Sequence, residues 1–215
     1  MIGAGVLCLL GGAVAWADSQ FIIDNPPLDY EVIDTEPFDG FGDFGPFPDS
    51  ASVLLGYTGE AREVVEFDIA PFQVPAGERI SSALFQAYIA DNNIAGMGIA
   101  GITPASVACH GYVGNGIPEL SDFEAGNGNF LAREMLGEHP YIGQQLTFDV
   151  TDFVKQLVDT NQTWVGLTVR AEQLGGIMLF EGRHSPMLTI QTVPVPEPSA
   201  LATLALAGLA VLRRR

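Results

Sequence analysis

Cysteine is nearly absent. Of the two in the 215-residue chain, Cys8 falls in an apolar N-terminal segment and Cys109 is the single one in the body. No disulfide can form within that body, so its stability has to come from a buried core. Basic residues are scarce too: nine Lys and Arg against twenty-six Asp and Glu, a formal net charge of −17. Three of the nine are the terminal arginines, which leaves six basic against twenty-five acidic residues upstream of the tail. Such a surface repels nucleic acid and anionic lipid. It is compatible with solubility, with cations, and with neutral or cation-bridged polysaccharide.

Motifs that carry chemistry are missing as well. The three histidines, His110, His139 and His184, stand in no metal-ligand spacing, and there is no Cys-x-x-Cys pair. No Gly-x-Ser-x-Gly elbow and no phosphate-cradling loop occurs, and Gly114-x-Gly116 reads as a turn. A glycosidase needs two carboxylates at a set separation across a cleft. Asp122 and Glu124 lie in the loop best placed for such a pair, whereas Asp149 and Asp152 read as corner and cap residues. The expectation is a protein without catalytic residues.

What is present begins at the two ends. Residues 1–17 are apolar and finish Ala15-Trp16-Ala17 before Asp18, an A-x-A-like cleavage site that reads as a secretory signal peptide. Residues 194–215 run PVPEPSALATLALAGLAVLRRR. As a helix, the thirteen residues Ala200 to Leu212 span roughly 20 Å, short of the ~30 Å hydrocarbon core. Arg213, Arg214 and Arg215 form a basic stop that the positive-inside rule keeps cytoplasmic, placing the rest of the chain outside.

Residues 18–50 hold Pro26, Pro27, Pro37, Pro46 and Pro48 interleaved with Phe38, Phe41, Phe44 and Phe47, with acids and no basic residue between Asp24 and Asp49. Proline at this density disfavours regular ladders. Beyond a short strand at Phe21–Ile23, the expectation is an irregular loop whose phenylalanines pack onto the domain. A calcium loop using Asp39, Asp43 and Asp49 is the sharper alternative, although the spacing is not that of an EF-hand.

From residue 51 to 192 the pattern is β. Residues 62–69 alternate, with Val65, Phe67 and Ile69 on one face and Val64, Glu66 and Asp68 on the other. Residues 80–90 put Phe85, Ala87 and Ile89 opposite Leu84, Gln86 and Tyr88. Residues 106–113 place Cys109 among apolar neighbours, and 114–128 read as loop. The strand 145–150 runs into a short helix with the stripe Phe153, Val154 and Leu157, followed by strands at 164–171, 177–180 and 187–192. The predicted fold class is all-β: an antiparallel β-sandwich or jelly roll with one short helix, flanked by an N-terminal signal helix and a C-terminal hydrophobic helix. Exposed aromatics are the usual sugar platforms. Tyr57, Tyr88, Tyr112, Tyr141 and Trp164 are the candidates, with Tyr88 and Tyr112 on faces expected to point outward.

Two family resemblances add to this reading. Pro196-Glu197-Pro198, the short apolar run and the terminal arginines occur in the order of the PEP-CTERM sorting signal, which they resemble. That resemblance implies recognition by an exosortase-type membrane protease, removal of the tail, and delivery to the cell surface or the exopolysaccharide matrix, with only transient membrane contact. The stretch VLLGYTGEAREVVEFDIAPFQVPAGERISSALFQAYI from Val53, FDVTDFVKQLVD from Phe148 and FEGRHSPMLTI from Phe180 are similar to the DNRLRE-type β-sandwich, a family related to carbohydrate-binding modules. The leading expectation is therefore an exported, non-catalytic surface or matrix protein. The alternatives are a carbohydrate-active enzyme or accessory module, and a calcium-dependent adhesive protein.

Overall fold

A computed structural model describes residues 18–24, 28–35, 39–48, 51–92, 94–137, 140–179 and 185–195. Ala15, Ala17, Asp49, His139, His184, Pro196, Glu197, Pro198, Arg213, Arg214 and Arg215 lie outside the described residues, as do both expected terminal helices.

The described chain forms strands β1 (Ser19–Ile23), β2 (Leu28–Thr35), β3 (Phe44–Pro48), β4 (Ser52–Leu55), β5 (Gly59–Asp68), β6 (Glu78–Asp91), β7 (Ala95–Gly96), β8 (Ile99–Ala100) and β9 (Ser106–Val113). A one-turn helix α1 (Asp122–Ala125) precedes β10 (Phe130–Met135) and β11 (Gln145–Asp149). Helix α2 (Thr151–Asp159), β12 (Trp164–Ala171), β13 (Gly175–Leu179) and β14 (Met187–Pro194) complete it. Twelve strands join one curled antiparallel sheet in the order β1-β14-β6-β13-β4-β5-β12-β9-β10, with β11 on the other edge of β6 and β2-β3 on the other edge of β5. β7 and β8 form a separate two-stranded hairpin.

The curl folds one arm of the sheet (β1, β14, β6, β11) over the other (β2, β5, β12, β9, β10). Alternation decides what meets between them. Phe85, Ala87 and Ile89 from β6, Leu146 and Phe148 from β11, and Leu188 and Ile190 from β14 face Val65 and Phe67 from β5, Val165, Leu167 and Val169 from β12, and Cys109 from β9. Phe85 meets Phe67 edge-on at 5.9 Å and stacks on Phe148 at 5.7 Å. Each large apolar side chain buried here contributes about 1.5–3 kcal/mol. Helix α2 closes one side with Phe153, Val154 and Leu157, the stripe predicted from spacing. Cys109 is fully buried and desolvation pushes its thiol far up, so it behaves as a small apolar side chain.

The structure corrects the reading of residues 18–50. They are not an irregular loop, because three strands lie within 18–50. Pro46 and Pro48 fit because, among the described residues, β3 pairs with β2 alone, and an edge strand tolerates residues that cannot donate to a ladder; Pro26, Pro27 and Pro37 lie outside the described residues. Phe41, Phe44 and Phe47 do not pack onto the domain but are all exposed, and Phe38 lies outside the described residues. Two other elements differ from expectation. The 114–128 loop contains α1, so the described residues form two short helices and not one, and residues 130–135 form an unforeseen edge strand.

β1 and β14 set the polarity of the molecule. Ser19 pairs with Thr192, and Pro194 pairs with Glu78 at the start of β6. The described chain therefore begins and ends at one end of the sheet, beside the turn at 75–77, where Val195 donates its N–H to the Gly77 carbonyl. The 39–43 loop and the β7-β8 hairpin lie at the opposite end, beyond the last β2-β5 pair, Thr35 with Gly59.

Candidate functional site

The outer face of β5 is not solvent-exposed. A strap, residues 114–129 including α1, crosses it, and Arg62, Val64 and Glu66 are buried beneath. Charge alternation alone would have sent these residues to water; side-chain hydrogen bonds and a cation–π contact hold the strap down instead. Arg62 donates to both oxygens of Glu60 at 2.7 and 3.0 Å, to the Phe123 carbonyl at 2.6 Å and to Asn127 Oδ1 at 2.6 Å. Its guanidinium lies 3.7 Å from the centre of the Phe123 ring. Glu66 accepts the Gly116 N–H at 2.7 Å. Tyr30 donates its hydroxyl to Asp122, which also accepts the Glu119 N–H at 2.8 Å.

Several residues selected from sequence converge here, but as packing. Tyr112 is not an outward platform: it is 6 % exposed, in a cluster with Tyr30, Val64 and Phe123. Its ring fills the space above Gly166, where a Cβ would sit 2.4 Å from it. Trp164 is half-buried, and its indole lies flat against Gly116, at φ +77 and with room for no side chain. The indole therefore seals the strap. Tyr88 is half-buried on the outer face of β6, the side expected for it. Asp122 is buried, whereas Glu124 accepts the Gly42 N–H at 2.9 Å, so the two carboxylates serve different partners.

Burial raises the Asp122 carboxyl above the ordinary range, against the hydrogen bonds from Tyr30 and Glu119. A carboxyl held more protonated in the folded chain favours the fold at pH below its unfolded value. That stability is lost as pH rises through the folded value. Asn at 122 keeps an acceptor for both donors and removes the buried charge. Asp122→Asn is therefore expected to be more stable than the parent at pH 7, with the gap closing below about pH 4. Urea melts at the two pH values check this; a variant weaker at pH 7 refutes it.

In the acidic loop the carboxylates are engaged locally. Asp43 accepts the Thr35 N–H at 2.9 Å and its hydroxyl at 2.7 Å, bonds that lower its pKa. Asp39 accepts the Phe41 N–H, and the buried Asp34 accepts that of Gly40. Among the described residues, no group of three or more His, Cys, Asp or Glu is arranged to hold a metal ion. His110 is half-buried, with Nδ1 3.1 Å from the Gly126 carbonyl, and desolvation lowers its pKa.

The surface feature with both shape and polar chemistry was not anticipated. A groove of about 580 Å³ opens between β10 and the β11–α2 corner. At the corner, Asp149 accepts the Thr151 N–H at 2.9 Å, a bond that lowers its pKa, and the Thr151 hydroxyl accepts the Ala83 N–H at 2.9 Å. Phe130 is 50 % exposed at the mouth.

The chain matches no protein-family model, and no curated protein matches it. Among the described residues, no helix is long and apolar enough to cross a membrane.

Proposed function

We propose that this protein is an exported, non-catalytic β-sandwich of jelly-roll type, sorted by its C-terminal segment to the cell surface or the extracellular polysaccharide matrix. The sandwich reading is supported by the two arms of the curled sheet, whose inward faces share one core. The sorting reading starts from the Pro196-Glu197-Pro198 motif, the short apolar run and the terminal arginines. It implies an exosortase-type protease as the processing partner and transient membrane contact through the tail.

The observation that carries the proposal is the pairing of β1 with β14. It puts Asp18, at the expected cleavage site, and Val195, just before the tail, at the same end of the fold. Export and sorting segments joined at one end leave the opposite end free to face outward. The first described strand begins at Ser19 and the last ends at Pro194, so both expected processing sites flank the hydrogen-bonded sheet in sequence.

Intact-mass and terminal-peptide analysis of protein recovered from the host's surface and matrix fractions tests this. The expected product starts at Asp18 and ends close to Pro196–Pro198. A chain recovered from the cytoplasm, or one keeping residues 1–17 and 196–215, overturns the proposal.

A further inference from the structure

β10 and β11 are edge strands, one in each arm: among the described residues β10 pairs only with β9, and β11 only with β6. They approach each other where Glu134 accepts the Thr147 N–H at 3.3 Å. Between Phe130 on one side and Asp149–Thr151 on the other lies the groove. Its floor reaches Ser81 and Ser82 on β6, where Ser81 is the extra residue of a β-bulge against β14. The Ser81 hydroxyl donates to the Gln191 carbonyl and the Ser82 hydroxyl to Gln191 Oε1, both at 3.1 Å. Each hydroxyl keeps lone pairs to accept with.

The lining chemistry narrows the ligand. It offers two carboxylates, Asp149 and the fully exposed Asp152, three hydroxyls with Thr151, and one exposed aromatic ring, Phe130, beside the buried Phe153, with no basic side chain. Two nearby cations are paired: Arg133 with Glu172, and Lys155 with Asp152 at 3.8 Å. The Phe130 ring is braced, with His110 edge-on at 5.8 Å and the Arg133 guanidinium 5.6 Å from its centre. An oriented ring opposite hydrogen-bond acceptors fits a molecule with an apolar face and many hydroxyl donors. The carboxylates and the chain's net charge of −17 exclude phosphate, sulfate and uronate groups. The volume lies within the ~300–1,000 Å³ typical of small-ligand sites.

We infer that this groove binds a segment of a neutral polysaccharide, with one sugar ring stacked on Phe130 and its hydroxyls donating to Asp149, Asp152 and the serines. The inference rests on the matrix reading only for where such a ligand is met.

Affinity electrophoresis of the full-length protein in non-ionic detergent tests it, in gels holding hydroxyethylcellulose, galactomannan, dextran or polygalacturonate. Retardation is expected in at least one neutral gel and absent in polygalacturonate. Phe130→Ala is expected to weaken retardation at least tenfold. Asp152→Asn, at a position that leaves the core untouched, is expected to weaken it several-fold, which keeps the test open should the first variant misfold. No retardation by the neutral polymers, or retardation unchanged in both variants, overturns the assignment. The termini of the exported chain are measured separately, so either idea can fail alone.

Discussion

Replacing Arg62 with methionine is expected to destabilise the protein by about 3–5 kcal/mol, because it breaks a buried ion pair by removing one partner. Methionine fills much of the same space but donates nothing. Glu60, the Phe123 carbonyl and Asn127 Oδ1 would each lose a donor at once. Arg170, with Nε 3.3 Å from Glu60, would still serve that carboxylate and sets the upper limit of the loss. Damage should begin in the strap, so hydrogen exchange across 114–129 would rise before exchange in β12 does. Urea unfolding together with exchange measurements checks both parts. A loss under about 1 kcal/mol would mean that the strap is held chiefly by Phe123 and Tyr112.

Phe85→Ala should be equally severe, at about 3–5 kcal/mol. Phe85 is completely buried where the arms meet, against Phe67 from one and Phe148 from the other. Its removal leaves a void that a sheet bonded on both edges of β6 cannot close. The contrast is with Phe41, Phe44 and Phe47. Each is 43 % exposed or more, and each as serine should change the melt by no more than about 0.5 kcal/mol. One set of unfolding curves measures all four, and equal losses would contradict the assignment of core and surface.

These contrasts show where alternation along the chain was informative. Period two sorts side chains onto faces, and the inner face was legible throughout: Phe85, Ala87 and Ile89, then Leu146 and Phe148, then Val165, Leu167 and Val169 all face the core. Alternation cannot say what covers the other face. In β5 that face carries Arg62 and Glu66, which looks solvated until a segment fifty residues downstream folds over it. The same blind spot misplaced Tyr112, whose outward direction was right and whose exposure was not. Residues 18–50 failed for another reason. Proline density argues against central strands, and β3 is an edge strand. The groove was illegible because it is a gap between two strand edges far apart in sequence. Only the strand-to-helix corner at Asp149–Thr151 was visible beforehand, and it was read as a cap.

The pairing of the first strand with the last also bears on how the chain acquires its shape. Ser19 waits for Thr192, and most of β6 waits for β14, so the arm of β1, β14, β6 and β11 is not complete until nearly the whole chain is available. At roughly 5–20 residues per second, a chain made or delivered from its N-terminus leaves β1 unpartnered for on the order of ten to thirty seconds. Closing contacts of such high separation is intrinsically slow. For that interval the molecule is an unclosed sheet with adhesive margins, and its heavy negative charge acts as the safeguard that keeps neighbouring chains apart.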